Sequence, residues 1–464
     1  MWRQLARSLA RFGHLRRNAR LYLISNTLQA FTAGALGVLY TLFLASLGYG
    51  TTFIGVTLFV ATAGGALGIV PASALVRRLG WRAMLLWSDL IGGVAIAAQL
   101  LAPTRAVVII TSLGIGASVA IFLVLNAPFL AANSDAEQRN AIFGLNNALG
   151  FLAGVTGSLV GGFLPVWIAA GFHAQTTWLL ALRPILLADP QARIYQLALL
   201  AAGIVAVPSI IPVLLLSDQR EDVASAPFFA TPSAPTPPLG KRLREWLRTG
   251  RAALASRVGR FSFSQALVGF GAGLFFPFLN IYFVNRLGAS TAFYGELTAA
   301  VTALLAVVSL ASAPLADRFG RVRVALAAQV ASLPFMVAMG AAPLLLVVAA
   351  CYIVRSALMN TGSAPLQAWL MDAVMPQRRV LASNAYNISW QGAWAVGAAL
   401  GGGLIALGGY GLPFYVAAAC YAVSAALLGW WFLPGRDAGD GATPALPEES
   451  RTEAQRERGG SRPA

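Results

Sequence analysis

The sequence LGYGTTFIGVTLFVATAGGALGIVPASALVRRLG, residues 47–80, recurs as LGASTAFYGELTAAVTALLAVVSLASAPLADRFG, residues 287–320. The two stretches align without a gap at a constant offset of 240 residues, and each contains a long apolar segment. The same offset relates further pairs: Arg139 and Arg379, Asn147 and Asn387, Ala153 and Ala393, Gly157 and Gly397, Gly161 and Gly401, and Gly162 and Gly402. The chain therefore consists of two copies of one unit joined head to tail.

The composition places both copies in a membrane. Of the 464 residues, 58% are hydrophobic and only 11% are charged, whereas soluble domains contain roughly 25% charged residues. The formal net charge of +16 raises the question of nucleic-acid binding. The arginines, however, cluster in short loops between apolar segments, where they set the orientation of a membrane protein. We therefore expect a lipid bilayer, and no nucleic acid, as a partner.

Twelve apolar segments are long enough to cross a bilayer as helices, the form in which a spanning backbone satisfies its own hydrogen bonds. They lie at 21–46, 52–76, 82–102, 106–132, 141–168, 194–216, 262–285, 292–316, 323–340, 342–371, 383–408 and 411–433. A shorter apolar stretch at 178–188 contains Arg183 and Pro184, and we expect it to lie at the outer surface. Counting it as a span would put the loop arginines of the two halves on opposite sides, against the positive-inside rule.

The resulting topology predicts five regions, with both termini in the cytoplasm of a bacterial inner-membrane protein. These are an amphipathic N-terminus at 1–20, a six-helix bundle at 21–216, a linker with a basic amphipathic helix at 217–260, a second six-helix bundle at 261–433, and a disordered tail at 434–464.

The segment Pro314-Leu-Ala-Asp-Arg-Phe-Gly-Arg-Val-Arg323, between spans eight and nine, closely resembles the signature loop of the major facilitator superfamily. The resemblance covers both halves. It implies an all-α membrane protein with twelve transmembrane helices in two parallel six-helix bundles, which bind a solute between them and move it by alternating access. It also implies that the loop is a cytoplasmic latch. The gating residues predicted on this basis are Arg78, Gly80, Asp135, Asp317, Arg318, Gly320, Arg321 and Asp372.

In this latch Asp317 and Arg318 are expected to pair across the closed inner gate, and Gly320 is expected to allow a tight turn. The first half departs from the family pattern, because Arg77 stands at the acidic position. A cluster of arginines that only sets topology is the alternative interpretation. The acids that follow the fourth span of each half are assigned as partners, Asp135 for Arg78 and Asp372 for Arg318.

The sequences GSLVGG at 157–162 and GAALGG at 397–402 resemble the glycine motif of antiporter members of the superfamily. Ser158 and Ala398 stand where the family has proline, which weakens the resemblance. Close packing of helices through small residues four apart is the alternative explanation.

Arg355 lies in the middle of the tenth span. An arginine at that depth costs about 2.5 to 3.5 kcal/mol on insertion scales, so it usually faces a wet cavity or an acidic partner. We expect it to bind an anionic or polar group of the substrate, or to pair with an acid. A structural arginine bonded to neighbouring helices is the alternative. The other polar or aromatic candidates for substrate binding within the spans are Gln29, Asn147, Asn280, Tyr282, Asn387, Trp390 and Gln391. For each of them, a hydrogen bond between neighbouring helices is the alternative.

Acidic residues are scarce within the spans, and Asp89 and Glu296 are the candidates for ion coupling. Proton coupling through a carboxyl group needs burial that favours the protonated form. Either residue is therefore a candidate if it is buried, and transport without coupling stays open. Pairing or snorkelling near the membrane surface is the alternative for both.

The sequence therefore predicts a monomeric secondary transporter of a small organic solute, with proton-coupled efflux of drug-like or amphipathic compounds as the leading interpretation. Metabolite uptake or facilitated diffusion, and a membrane sensor or scaffold that does not transport, are the alternatives. We predict neither an enzyme nor a cofactor, because the spans contain no histidine and no constellation of metal ligands.

Overall fold

The computed structural model describes residues 15–134, 139–171, 185–217, 256–374 and 379–433, and every regular element in these ranges is helical. Twelve of their helices are long and apolar enough to cross a membrane. Numbered α1 to α12 in chain order, the spans are Arg17–Ser46, Thr51–Ile69, Arg78–Leu101, Arg105–Ala132, Ile142–Gly171, Pro190–Leu214, Arg257–Arg286, Thr291–Ser309, Arg321–Ala341, Leu345–Asp372, Ala385–Gly408 and Gly411–Phe432. The predicted all-α, twelve-span architecture is confirmed.

Four predicted features lie wholly or mainly outside the described residues. They are the amphipathic N-terminus, the surface stretch at 178–188, the amphipathic helix of the linker and the C-terminal tail. Asp135, the expected partner of Arg78, also lies outside them.

The repeat is visible in the turns of the two halves. The helix Thr51–Leu101 is interrupted only at Gly80, whose φ is 82°. Gly320 separates α8 from α9 with a φ of 91°, so it makes the tight turn expected of it, because residues with a Cβ rarely adopt this conformation. Following the predicted orientation, we call the end with Gly80 and Gly320 the inner end. The opposite end, with Gly48 and Gly288, is the outer end.

The two halves, α1–α6 and α7–α12, pack closely through α2 against α11 and through α5 against α8. A Cβ added at Gly55 of α2 would lie 2.5 Å from the carbonyl oxygen of Ala398 on α11. In the related contact, a Cβ added at Gly295 of α8 would lie 2.7 Å from the carbonyl oxygen of Ser158 on α5. The contact of α2 with α11 is therefore repeated as the contact of α8 with α5. Glycine at these positions lets the two backbones approach each other.

The apolar core shows at which end the interface between the two halves, which we call the seam, is closed. One cluster of buried residues joins the halves at the outer end and includes Val38 and Leu42 from the first half and Phe278 and Ile281 from the second. Toward the inner end, the described residues form two separate clusters, one within each half. The first includes Leu85, Phe129 and Leu145, and the second includes Phe261, Leu370 and Leu428. The structure is therefore closed at the outer end, and the halves separate toward the inner end.

Candidate functional site

The outer closure depends on an irregular segment of α7. The helix changes to a 3-10 turn at Phe276–Phe278, returns to α at Leu279–Ile281 and ends as a π-helix at Tyr282–Arg286. Pro277 lacks the N–H group that a regular helix needs, which accounts for the break at this point. Short π and 3-10 segments inside a helix are common at functional sites.

Asn280 is held inside this closure, with 3% of its surface exposed. Its Oδ1 accepts a hydrogen bond from the Thr41 hydroxyl at 2.6 Å. Its Nδ2 donates to the carbonyl oxygen of Val38 at 3.0 Å. Tyr282 is also buried, and its hydroxyl donates to the carbonyl oxygen of Met339 at 2.7 Å. In this conformation the predicted substrate-binding residues Asn280 and Tyr282 therefore belong to the outer closure, and Asn280 ties α7 to α1.

One face of α11 leads from the closed seam into an open cleft. Gly402 and Ala398 contact α2 at the outer end. Gln391 and Asn387 continue the same face toward the inner end, since residues spaced by four and seven lie on one side of a helix. Both side chains are exposed. On this face a close contact with α2 reaches Ala398, and the exposed predicted binding residues follow it toward the inner end.

The same arrangement occurs on α5, at the positions related by the repeat. Gly162 and Ser158 contact α8 at the outer end, and Phe151 and Asn147 continue that face toward the inner end. Both side chains are exposed. Asn147 was expected from the sequence to line a cavity, whereas Phe151 was missed. The repeat could have indicated Phe151, because the offset of 240 residues makes it the equivalent of Gln391.

Trp390 lies at the edge of this cleft. Its backbone carbonyl packs so closely on α7 that a Cβ at Gly269 would lie 2.5 Å from the oxygen. Its side chain is half-buried. Asn147, Phe151, Trp390 and the amides of α11 thus give the cleft a lining of uncharged hydrogen-bonding and aromatic groups.

The structure places Arg355 away from the cleft, with only 4% of its surface exposed. Its guanidinium donates to the hydroxyl of Tyr421 at 2.8 Å. It also lies over the rings of Phe275, 4.8 Å from the centroid, and of Tyr421, 5.4 Å from the centroid. Among the described residues, Arg355 therefore has neither the wet cavity nor the acidic partner that was expected for it. The charge is accommodated instead by aromatic faces and a hydroxyl group between α7, α10 and α12.

Asp89 on α3 faces Gln29 on α1 within the first half. The Nε2 of Gln29 donates to Oδ1 of Asp89 at 2.6 Å. Gln29, predicted to bind substrate, is therefore bonded to an acid of its own half in this conformation. Oδ2 of Asp89 is buried and has no hydrogen-bond partner among the described residues. An ionised carboxylate is costly to bury in this way, because one oxygen has lost water without gaining a donor.

Glu296 occupies a different environment. It is exposed on α8, as are Ala300 and Ala303 on the same face. Tyr294, two residues before it, is buried in the second half, so Glu296 points away from its own bundle. The geometry therefore supports Asp89 better than Glu296 as a site for a coupling proton.

The predicted gating residues at the inner end are only partly brought together. Arg321 forms an ion pair with Asp372, close to the membrane surface. Asp372 was expected to receive Arg318, but in this conformation the guanidinium of Arg318 lies over the ring of Phe319, 5.3 Å from its centroid. The pairing differs because Arg321, which opens α9, faces the end of α10. Asp317 is exposed, as is Arg78 in the first half.

Two further observations bear on the chemistry of the site. In the ranges that the structure describes, no group of three or more His, Cys, Asp or Glu side chains is placed to hold a metal ion. Thr41, the partner of Asn280 across the halves, was not singled out from the sequence. A lone threonine in a span carries no signal, because such hydroxyls usually bond to their own helix.

Comparisons with known proteins agree with this architecture. The family model described as Major Facilitator Superfamily matches residues 22–257 and 261–461. No curated protein sequence matches the chain closely enough to count as a relative.

Among solved structures, a bacterial homolog of the human lysosomal transporter Spinster has a TM-score of 0.65 at 13% identity, covering 89% of this chain and 95% of that chain. The nucleoside transporter NupG has a TM-score of 0.64 at 14% identity, covering 89% and 97%. A bacterial homologue of the iron transporter ferroportin has a TM-score of 0.67 at 13% identity, covering 89% and 98%. At these identities the likeness is one of fold. Together with the family match, it shows that the chain belongs to the Major Facilitator Superfamily and is a multi-pass membrane transporter.

Proposed function

We propose that this transporter exports amphipathic, drug-like organic solutes in exchange for protons. The observation that carries the proposal is the pair of matched helix faces on α5 and α11. Asn147 and Phe151 on α5 occupy the positions equivalent to Asn387 and Gln391 on α11, and all four residues are exposed, so the two faces combine amides with an aromatic surface. Such a lining suits a solute with a large apolar part and a few hydrogen-bonding groups, because apolar pockets with sparse polar groups bind such ligands.

The absence of a formal charge from this described wall supports the same substrate class. Arg355, which would have favoured an anion, is enclosed in the second half and bonded to Tyr421. A substrate that needed a salt bridge would find no partner among the residues of the two faces. We therefore expect recognition by shape and by a few hydrogen bonds rather than by ionic pairing.

Proton coupling is assigned to Asp89. The carboxyl group lies beside α1, and Gln29 on that helix contacts it directly. On the same face of α1, Tyr22 donates to Asn126 of α4 at 3.0 Å. Loss of the proton from Asp89 would leave a charge with one unpartnered oxygen, which is relieved by a shift of α1 or by entry of water. Because α1 also carries Thr41, the partner of Asn280, such a shift would reach the outer closure.

The test compares two acids in proteoliposomes that contain the purified full-length chain. Wild-type protein should accumulate ethidium against its gradient when a pH gradient is imposed. The D89N variant should lose gradient-driven accumulation but keep ethidium exchange at zero gradient, because only the coupling step is removed. The matched E296Q variant should behave as wild type. Normal gradient-driven uptake by D89N would exclude Asp89 as the coupling group.

A second set of measurements separates export from the alternatives. Cells that express the wild-type chain should hold less ethidium than cells that express the D89N variant. Equal dye levels, together with exchange of a polar metabolite in the liposomes, would favour uptake of a metabolite instead. Binding of ethidium without any flux would favour a sensor.

A further inference from the structure

An arginine-lined pocket lies at the inner end of the second half, beside the turn between α8 and α9. Its volume is about 470 Å³, and Arg318, Arg321 and Arg323 line one side of it. Trp369 of α10 and Phe432 of α12 line the other. The pocket therefore offers cationic groups at the level where the spans end, over an aromatic floor.

The three arginines differ in their contacts: Arg318 lies over the ring of Phe319, and only Arg321 among them has an ion pair in the described ranges. Arg321 is engaged by Asp372. Arg318 and Arg323 are exposed, and within the described ranges no ion pair is found for either. Asp317 stands next to Arg318 but does not line the pocket. Two guanidinium groups that line the same pocket can together meet the oxygens of a phosphate, with which arginine forms paired hydrogen bonds.

A separate apolar groove lies farther along the same helices, toward the middle of the membrane. It has a volume of about 390 Å³ and runs between α9 and α12. On α9 its wall is formed by Leu326, Val330 and Leu333. These residues follow Arg323 on one face, at spacings of three and four.

On α12 the groove is lined by small residues, Gly429, Ala426, Ala425 and Ala422, and by one large residue, Trp430. Where the side chains are small, a hollow about two turns, or ~11 Å, long opens between the two helices. The arginine pocket and the apolar groove therefore follow one another along α9 and α12, with the arginines where the spans end and the groove deeper in the membrane.

We propose that this site, which we call the α9–α12 lipid site, binds an anionic phospholipid. The phosphate lies between Arg318 and Arg323, the headgroup occupies the pocket, and one acyl chain lies in the groove. Basic residues beside a membrane surface attract anionic lipids. From the membrane surface toward the bilayer centre, the arginines come first and the apolar groove second. A phospholipid in its leaflet has its headgroup and acyl chains in the same order. A soluble anion would leave the groove unused, and a second protein copy would leave the arginines without a partner.

The test uses native mass spectrometry of the purified full-length chain with phosphatidylglycerol and phosphatidylcholine of identical acyl chains. Wild-type protein should retain phosphatidylglycerol in preference to phosphatidylcholine. The double variant R318Q/R323Q should lose that preference, by on the order of tenfold, since each basic group near the membrane contributes measurably. The control R286Q removes an exposed arginine from the outer end and should leave the preference unchanged. An unchanged preference in R318Q/R323Q would overturn the proposal.

Variants of the groove distinguish a lipid from other occupants. The A426F variant should weaken binding of both lipids, whereas V423F, at an exposed residue of α12 that does not line the groove, should not. Glycerol 3-phosphate alone should bind far more weakly than phosphatidylglycerol. Equal binding of glycerol 3-phosphate and phosphatidylglycerol, with no effect of A426F, would indicate a site for a free anion. A dimer that A426F abolishes would indicate that a second copy of the chain occupies the groove. Either result overturns the lipid site. The R318K/R323K variant keeps the charge and should keep the preference, which separates a binding defect from a folding defect.

Discussion

Asn147 of α5 and Asn387 of α11 stand at equivalent positions in the two halves, each on the helix face whose outer part closes the seam. The face of α5 passes from Gly162, in contact with α8, to the exposed Asn147, and the face of α11 passes from Gly402, in contact with α2, to the exposed Asn387. The contacts that close the outer end and the faces proposed to bind substrate therefore lie on the same two helices. A change in how α5 meets α8, or α11 meets α2, must also move these faces.

The asparagine pair should determine substrate affinity. N147L and N387L each remove a hydrogen-bonding group, so each should raise KM for ethidium by about 2- to 10-fold, the equivalent of a net hydrogen bond of ~0.5 to 1.5 kcal/mol. The control I388L changes an exposed residue on another face of α11 and should leave KM unchanged. If both asparagine variants transport with the wild-type KM, the cleft does not bind the substrate here.

Gly402 should control the outer closure. A Cβ at this position would overlap the carbonyl oxygen of Thr51, whereas a Cβ at the neighbouring Gly403 would meet nothing within 4 Å. G402A should therefore shift the protein toward an outer-open form, measured as a longer distance between spin labels at the outer ends of α2 and α11. G403A should keep the wild-type distance. Equal distances in the two variants would show that α2 and α11 do not form the closure.

Asn280 and Thr41 should be coupled across the halves. A double-mutant cycle with T41V and N280L should give a coupling free energy of about 0.5 to 1.5 kcal/mol for the opening of the outer end, because a buried hydrogen bond links α1 to α7. The readout is the rate at which a thiol reagent modifies a cysteine placed in the outer closure. Strictly additive effects would mean that the bond between Thr41 and Asn280 does not hold the closure.

Arg355 should act on stability rather than on binding. Y421F removes the hydroxyl that accepts from Arg355, and hydrogen bonds to charged groups contribute about 1.5 to 3 kcal/mol. We expect a lower melting temperature and an unchanged KM for ethidium. Y415F, at an exposed tyrosine of the same helix, is the control and should melt as wild type. A raised KM for ethidium with an unchanged melting temperature would indicate that Arg355 acts in substrate binding.

Much of the fold follows from the chain alone. The repeat between residues 47–80 and 287–320, the apolar segments and the positions of Gly80 and Gly320 predicted two matched six-helix bundles. These features are readable because each is local. Span length follows from bilayer thickness, and a positive φ calls for glycine.

The candidate site was harder to predict. Asn147, Asn387 and Gln391 are exposed toward the inner end of α5 and α11, whereas Asn280 and Tyr282 lie in the outer closure and Gln29 binds Asp89. All of these are polar residues in spans, and composition does not distinguish them. The difference arises from the side of the helix on which each stands and from the state in which the halves meet.

The sequence by itself determined that the chain spans a membrane twelve times in two related halves, and that a charge at Arg355 had to be accommodated at depth. Only the tertiary structure decided that Phe275 and Tyr421 accommodate it, and that Asp89 faces Gln29 with one oxygen unpartnered. The physical reason is that the cost of burying a polar group depends on its type and depth, which are written in the sequence. The partner that offsets this cost comes from another helix, and its identity depends on how the helices pack.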